Sequence, residues 1–331
     1  MRPLILTIAI PFYNGLDKIS NILSNLYKNE NSNYEILLID DCSYSEQTEG
    51  LLNLINNKYN NGNLRYLYNN INLGMDANFE KCIFESYGKY IWFFGQDDYV
   101  VIDDLNYCIE CLEIYKPDIV FANYSINRSW KYNSNYVFNN NTSLFFGVGV
   151  SDFLKISNRK VPSFLPSLII KKDVWPTDQV ISKFYGTHFI QLASFIYNLL
   201  INKKWLYIGK PLAIGEIPAT GWQNSLVNRI KYYVGFVSCL NNFSIFKLPN
   251  SNLIIYEQLN DTIIQHLLLS IECKIAKQND LLEKLMNPHL FPYKNRLISK
   301  IIYYTPIPLL LLIQFNRNIY YKYKNIIINE K

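Results

Sequence analysis

Tyr90-Ile91-Trp92-Phe93-Phe94 runs five apolar or aromatic residues straight into Gly95-Gln96-Asp97-Asp98. No residue of the run alternates to polar, so it reads as a strand buried on both faces. The same design recurs upstream. Leu4 to Ile10 ends at Pro11-Phe12-Tyr13-Asn14-Gly15, and Tyr34 to Ile39 ends at Asp40-Asp41-Cys42-Ser43. Leu64 to Tyr68 leads into Asn69-Asn70-Ile71-Asn72-Leu73-Gly74. Between these runs the apolar spacing turns helical: positions 19, 22, 23, 26 and 27, then Leu51, Leu52, Leu54 and Ile55, then about 75–87. A helix near 101–115 and a strand from Asp118 to Asn123 continue the pattern. Strand alternating with helix predicts an α/β fold, a mainly parallel sheet flanked by helices. Ligands of such sheets sit outside the carboxyl ends of the strands. Pro11–Asn14, Asp40–Asp41 and Gln96–Asp98 all follow strand ends. Alone, Asp97 and Asp98 read more readily as caps of the helix near Val101, because Asp is a favoured cap.

Composition narrows the function classes. Of 331 residues 49% are hydrophobic and 15% aromatic, which excludes a disordered chain. The net charge of +5 comes from only 18% charged residues, and no basic block marks a nucleic-acid stripe. The six cysteines include Cys108 and Cys111 in a helical pattern but no second pair, so buried thiols are expected rather than zinc. Such thiols fit a reducing compartment. Met1-Arg2-Pro3 runs directly toward a strand and reads as no signal peptide. On that reading the sequons at Asn123 and Asn242 carry no meaning. No Gly-rich phosphate loop appears, which counts against dinucleotide and P-loop chemistry.

Ser125 to Ser143 is polar and without periodicity, and reads as a loop. Ser163 to Ile170 is strand-like. A helix opening near Phe184 and running to about Leu200 would take Gly186 or Thr187 as its cap and put His188 in its first turn. There the positive end of the helix dipole favours a neutral imidazole. Trp205 to Gly215 looks like two short strands split by Pro211. Beyond about Trp222 the chain turns helical, with helices at 224–240 and from about Ile254 to Leu285. The tail sets Leu309-Leu310-Leu311-Leu312-Ile313 among Arg296, Lys300, Arg317, Lys322, Lys324 and several Tyr, a pattern that suits a helix lying in a bilayer interface. Packing on the core, or a homodimer contact, is the other reading. No run of 18 apolar residues predicts a membrane span.

Taken in order, Ala9–Asn14, Glu35–Ser43, Asn72-Leu73-Gly74 and Gly88–Asp98 resemble the nucleotide-sugar domain of family 2 glycosyltransferases with the GT-A fold. The resemblance covers roughly the first 125 residues. Phe164–Ile170 and the helix at Gly186–Leu200 are similar to that family's abequosyltransferase-like branch, which is tied to bacterial surface polysaccharides. The resemblance implies a nucleotide-diphosphate sugar donor, an inverting transfer and a glycan or lipid-linked acceptor, as in lipopolysaccharide or capsule assembly.

Residue by residue, it implies that Pro11, Tyr13 and Asn14 border the nucleotide, that Asp40, with Asp41 beside it, faces the base, and that Asn72, Gly74 and Gln96 line the donor. Asp97 matches the last acid of the family's Asp-x-Asp motif, a ligand for Mg²⁺ or Mn²⁺, and Asp98 follows it. Gly95 stands where the usual first acid does, so metal dependence and the substitute for that acid are open. A metal held by one or two carboxylates would neutralise the departing diphosphate. The acceptor hydroxyl needs a general base. His188 occupies the matching place and titrates in the right range; a capping role or a hydrogen bond to the acceptor are the alternatives, with Glu216 as another acid. Trp222 and Gln223 are candidates for holding acceptor sugar.

The expected organisation is a GT-A domain at 1–222, with a nucleotide-sugar half at 1–125 and an acceptor half at 126–222, followed by a helical region at 223–331. The expected location is cytoplasmic and peripheral to the membrane's inner face. Two other functions fit in part. A nucleotidyltransferase would need a basic Gly-rich loop that Pro11–Gly15 lacks, and a non-catalytic sugar- or lipid-binding protein would explain Gly95.

Overall fold

The computed structural model describes residues 4–27, 33–59, 63–127, 144–157, 161–216, 225–291 and 293–310. The first half alternates strand and helix: β1 (Leu6–Phe12), α1 (Leu16–Leu26), β2 (Tyr34–Asp40), α2 (Ser45–Lys58), β3 (Leu64–Tyr68), α3 (Met75–Glu85) and β4 (Tyr90–Phe93). A two-residue strand, β5 (Tyr99–Val100), precedes α4 (Leu105–Tyr115) and β6 (Ile119–Asn127). The second half holds β7 (Leu144–Val148), α5 (Gly149–Ile156), β8 (Leu168–Lys171), α6 (Asp178–Ile181), α7 (Ile190–Leu200) and β9 (Lys204–Glu216). Five helices follow: α8 (Leu226–Asn242), α9 (Ser251–Asp261), α10 (Ile263–Ile275), α11 (Asn279–Leu285) and α12 (Tyr293–Tyr304).

One nine-stranded sheet runs β3-β2-β1-β4-β8-β6-β9-β5, with β7 also on β9. The strands from β1 to β4 pair in parallel, as the alternation predicts. The second half adds antiparallel pairs, β8 lying between β4 and β6, and β5 and β7 both on β9. Both faces are buried because strand side chains alternate. Ile8, Ile10, Ile36, Leu38, Trp92 and Phe94 pack with α1 and α4 on one face. Ala9, Leu37, Ile39, Ile91 and Phe93 pack with α3, α5 and α7 on the other. Each fully buried aliphatic side chain contributes roughly 1.5–3 kcal/mol, so a polar substitution within either layer strikes the fold itself. Trp92 keeps its indole N–H satisfied by donating to Pro166 O at 2.7 Å.

Two local expectations change. Pro211 does not split a strand: β9 runs 13 residues through it. The register to β6 slips between Ala122 and Tyr124, and Asn123 Nδ2 closes the gap on Gly209 O at 3.0 Å. A bulge is where a strand tolerates proline's missing N–H. The expected helix from Ile254 to Leu285 is three helices, broken near Thr262 and Lys277, the latter with φ +56°. Among the described residues no helix is long and apolar enough to cross a membrane. All six cysteines are free, and all but Cys42 are buried.

Candidate active site

The parallel register brings the carboxyl ends of four strands to one edge. Phe12 pairs with Asp40, Asp40 with Tyr68, and Ala9 with Phe93. The loops that leave these ends are tied to one another. Asn14, in left-handed backbone at φ +49°, donates its N–H to Ser43 Oγ at 2.9 Å and accepts from the Tyr44 N–H at 2.9 Å. Gln96 lies over Gly15 so closely that a Cβ there would come within 2.1 Å of its amide nitrogen. Pro11 ends β1 half-buried, and Tyr13 opens to solvent beside Gln96, at 46% exposure.

Asp40 and Asp41 are both buried and both accept from the loops around them. Asp40 is fully buried; Oδ1 accepts from the Ser43 N–H at 2.9 Å, and Oδ2 from Thr48 Oγ1 at 3.0 Å and Tyr66 OH at 3.1 Å. Asp41 Oδ1 accepts from the Leu73 N–H at 2.8 Å and Asn69 Nδ2 at 2.9 Å, and Oδ2 accepts from the Gly74 N–H at 2.9 Å. Asn72 adds Nδ2 to Asp41 O at 3.0 Å. Both Asp40 oxygens help to hold the β2 loop. Asp41, Asn72 and Gly74 form the matching brace for the loop after β3. Gly74 has φ +82°, where a side chain would be strained.

Asp97 and Asp98 stand at the end of β4. Asp98 N donates to Gly95 O at 3.3 Å, and Asp98 Oδ2 turns back to accept from the Gly95 N–H at 3.1 Å. A Cβ at residue 95 would lie 2.8 Å from Asp98 Oδ2 and 3.0 Å from Asp97 Oδ1. The two carboxylates therefore converge over the glycine, and Asp98 fills the room that a first acid's side chain would need. Neither residue caps a helix; β5 intervenes. Lys18 in the first turn of α1 faces Asp97 Oδ2 at 3.6 Å. Hard carboxylate oxygens meeting at one point fit Mg²⁺ or Mn²⁺. Among the described residues no cluster of three or more His, Cys, Asp or Glu adds further ligands, so a cation here would take its remaining ligands from phosphate and water.

His188 stands just before the helix instead of in its first turn. The helix starts at Ile190 with Phe189 as its cap, and His188 precedes it in left-handed backbone at φ +65°. Asp76 on α3 accepts the N–H groups of Gly186 at 2.8 Å and His188 at 3.0 Å, ahead of the helix start. Burial lowers the His188 pKa; Asp76 pulls it back up and Lys231 pushes it further down. The imidazole is then neutral at neutral pH. Its Nδ1 is buried without a partner among the described residues, which leaves Nε2 as the nitrogen available to an acceptor. Burial in turn raises the Asp76 pKa, against the N–H groups that favour its charge.

α8 joins the two sides. Tyr232 lies within electrostatic reach of Asp98 and Tyr124, donates to Ser163 O at 3.3 Å and packs its ring 4.5 Å from Phe189. Sequence reasoning missed Asp76, Lys18, Lys231 and Tyr232. Asp76 reads as an ordinary first-turn acid, and its partners lie 110 and 112 residues away, so no local signal marks it. Glu216 ends β9 in register with Asn127. Its side chain, and Trp222 and Gln223 entirely, fall outside the described residues.

Comparison with known proteins agrees with this geometry. The sequence profile of glycosyl transferase family 2 matches residues 7–153. The abequosyltransferase RfbV of Salmonella typhimurium is 30% identical over 227 residues, which span 64% of this chain and 66% of that one. Over these residues the chain is similar to the family 2 glycosyltransferases. Among solved structures, Staphylococcus aureus TarS 1–349 in complex with UDP-GlcNAc superposes with a TM-score of 0.67 at 15% identity, covering 91% of this chain and 89% of that one. The mannosyltransferase PcManGT of Pyrobaculum calidifontis, in complex with GDP-Man and Mn²⁺, gives 0.56 at 13% identity, with 95% and 79% covered. These likenesses show the GT-A fold.

Proposed function

We propose that this protein is a family 2 glycosyltransferase that moves a sugar from a nucleotide-diphosphate donor, with inversion, onto a glycan or lipid-linked acceptor of bacterial surface polysaccharide. The observation that carries the reading is the pair of carboxylates converging over Gly95 at the edge where the braced strand-end loops meet. Asp97 and Asp98 would hold Mg²⁺ or Mn²⁺, which neutralises the charge of a departing diphosphate. Lys18 lies against Asp97 and adds positive charge on the same side. Tyr13, exposed at the edge, offers a ring face to the nucleotide, while Asp40 and Asp41 hold the loops that frame it. His188 accepts the proton of the attacking hydroxyl, for which a neutral imidazole is the competent form. The likeness to an abequosyltransferase supports the polysaccharide setting, as that relative's name implies.

The test is turnover. Purified protein incubated with a panel of UDP-, GDP-, CDP- and dTDP-sugars should release nucleoside diphosphate from at least one of them. Release should rise with Mn²⁺ and fall with EDTA. No turnover of any donor in either condition sinks the reading and returns the chain to a binding role.

A membrane surface is the proposed setting of the acceptor. Tyr293, Leu297, Ile301 and Tyr304 expose one apolar side of α12, and Leu309 lies just beyond it. Lys294 and Lys300 are exposed beside that side. This is the interfacial pattern of apolar face and basic flanks. Deleting 296–331 would also remove Ser299, which bonds His266 in the core at 2.8 Å, so a cleaner variant keeps the helix. Leu297→Ser with Ile301→Ser should lose sedimentation with anionic vesicles; unchanged sedimentation removes α12 as the anchor.

A further inference from the structure

One carboxylate between the nucleotide edge and the acceptor side serves neither the donor chemistry nor its own helix. Asp76 is the second residue of α3, where an acid normally offsets the helix dipole. Its Oδ2 instead takes the N–H groups of Gly186 and His188, at 2.8 and 3.0 Å. The Ile190 N–H also faces it. Glu80, one turn along the same side of α3, accepts from Tyr185 OH. Gly186 and His188 both have positive φ, +83° and +65°. Glycine takes that backbone freely, but histidine is strained there and stays only where its surroundings fix it. From the opposite side α8 wedges the turn: a Cβ on Gly235 would lie 2.2 Å from Thr187 O. The position of Asp76 is set in turn by the donor edge, since α3 starts from Gly74, whose N–H is held by Asp41.

We infer that Asp76 is a positioning residue that holds His188 in its left-handed turn toward the acceptor and couples that placement to the Asn72–Gly74 loop at the nucleotide edge. The inference rests on the proposed reading of His188 as the base. The charged groups facing His188 are Asp76 from α3 and Lys231 from α8. Glu80, Asp76 and Asp178 surround the adjoining Tyr185.

Two variants of the full chain separate positioning from charge. Asp76→Ala removes the acceptor of both N–H groups. It should lower kcat at least 30-fold, leave the donor KM within threefold, and speed amide hydrogen exchange at Gly186 and His188 at least tenfold. Asp76→Asn keeps an oxygen acceptor and loses the charge. It should return kcat to within fivefold of wild type and restore the protection. The acid limb of its pH profile should move to lower pH, because the anion that favours the imidazolium is gone. Unchanged exchange at residues 186 and 188 in Asp76→Ala overturns the inference whatever the activity. So does a loss of kcat that Asp76→Asn fails to rescue. If His188→Ala keeps wild-type kcat, the base reading falls, and the exchange readout still decides whether Asp76 fixes the turn.

Discussion

The proposed donor edge and the proposed acceptor turn are built on different terms. At the donor edge every loop is braced several times over. Asp40 takes three donors, Asp41 takes three more, and Asn14 both gives and receives across to the β2 loop. In the turn proposed to face the acceptor, the N–H groups of the two positive-φ residues, Gly186 and His188, share the one carboxylate of Asp76. A nucleotide diphosphate is one shape that a rigid pocket can be built for. An acceptor would have to enter, react and leave larger, past a turn whose two positive-φ N–H groups depend on one carboxylate.

The largest break in the comparison comes from Asp97→Ala. It removes a carboxylate oxygen from the convergence over Gly95 but no core contact, and its pair with Lys18 is partly exposed. Transfer should fall on the order of 10³-fold, the scale of losing one preorganised electrostatic group. Thermal stability should hold, since exposed pairs contribute under about 1 kcal/mol. Wild-type turnover would remove Asp97 from the mechanism.

Asp41→Ala strikes the bracing itself. It leaves the Leu73 N–H without its acceptor and removes one of two from the Gly74 N–H and the Asn69 amide, which keep Asn72 Oδ1 at 3.0 Å and Asn78 Oδ1 at 3.1 Å. Bonds to a charged group contribute roughly 1.5–3 kcal/mol each and unsatisfied buried donors cost a similar amount, so urea denaturation should show a loss of about 3 kcal/mol or more. An unchanged midpoint would mean the donor loops are held by something else.

The helices around His266 should respond to pH. His266 is fully buried in α10, with Nδ1 3.2 Å from Tyr233 OH on α8 and Nε2 2.8 Å from Ser299 Oγ on α12. Burial pushes its pKa from 6.5 down to about 4. The unfolded chain therefore binds the extra proton first on acidification. Stability from the neutral form is complete above pH 6.5 and declines as pH falls toward 4, by roughly 3 kcal/mol in all. Melting followed from pH 7 to pH 4 should show this decline in wild type and less of it in His266→Gln. A flat profile would place the acid sensitivity elsewhere.

The smallest expected effect on turnover is from Gly95→Ala. The new Cβ meets the end of the Asp98 side chain at 2.8 Å, and a side-chain end can swing aside, so the cost should stay near 1 kcal/mol. The swing takes Asp98 off the convergence, and the Mn²⁺ concentration for half-maximal turnover should rise several-fold. An unaltered Mn²⁺ requirement would mean Asp98 is no ligand.

What the sequence made legible is local. The runs at 4–10, 34–39 and 90–94 announce buried strands because both faces of each are apolar, and the polar loops behind them announce a common edge. α1 buries Ile19, Ile22, Leu23 and Leu26 as its spacing predicts. What stayed hidden depends on partners far along the chain. Pro211 reads as a strand break until Asn123 is seen bridging the slipped register. His188 reads as a first-turn residue until Asp76, 112 positions earlier, is seen holding its N–H. Gly95 reads as a missing acid until the Asp98 carboxylate is found in the space where that acid's side chain would stand.

The pairing of β5 has a consequence for the order in which the chain matures during synthesis. Tyr99 and Val100, directly after the two acids, pair with Ile214 and Ala213 of β9, and Val101 donates to Leu212 O at 2.9 Å. The strands β1 to β4 close on one another once residue 93 has emerged. The turn bearing Asp97 and Asp98 gains its far support only after more than a hundred further residues have been made. Such distant closure comes late in folding. The turn bearing Asp97 and Asp98 is thus completed by a strand from the far half of the chain, and a chain cut before β9 would keep the loops after β1 to β3 but lose this support.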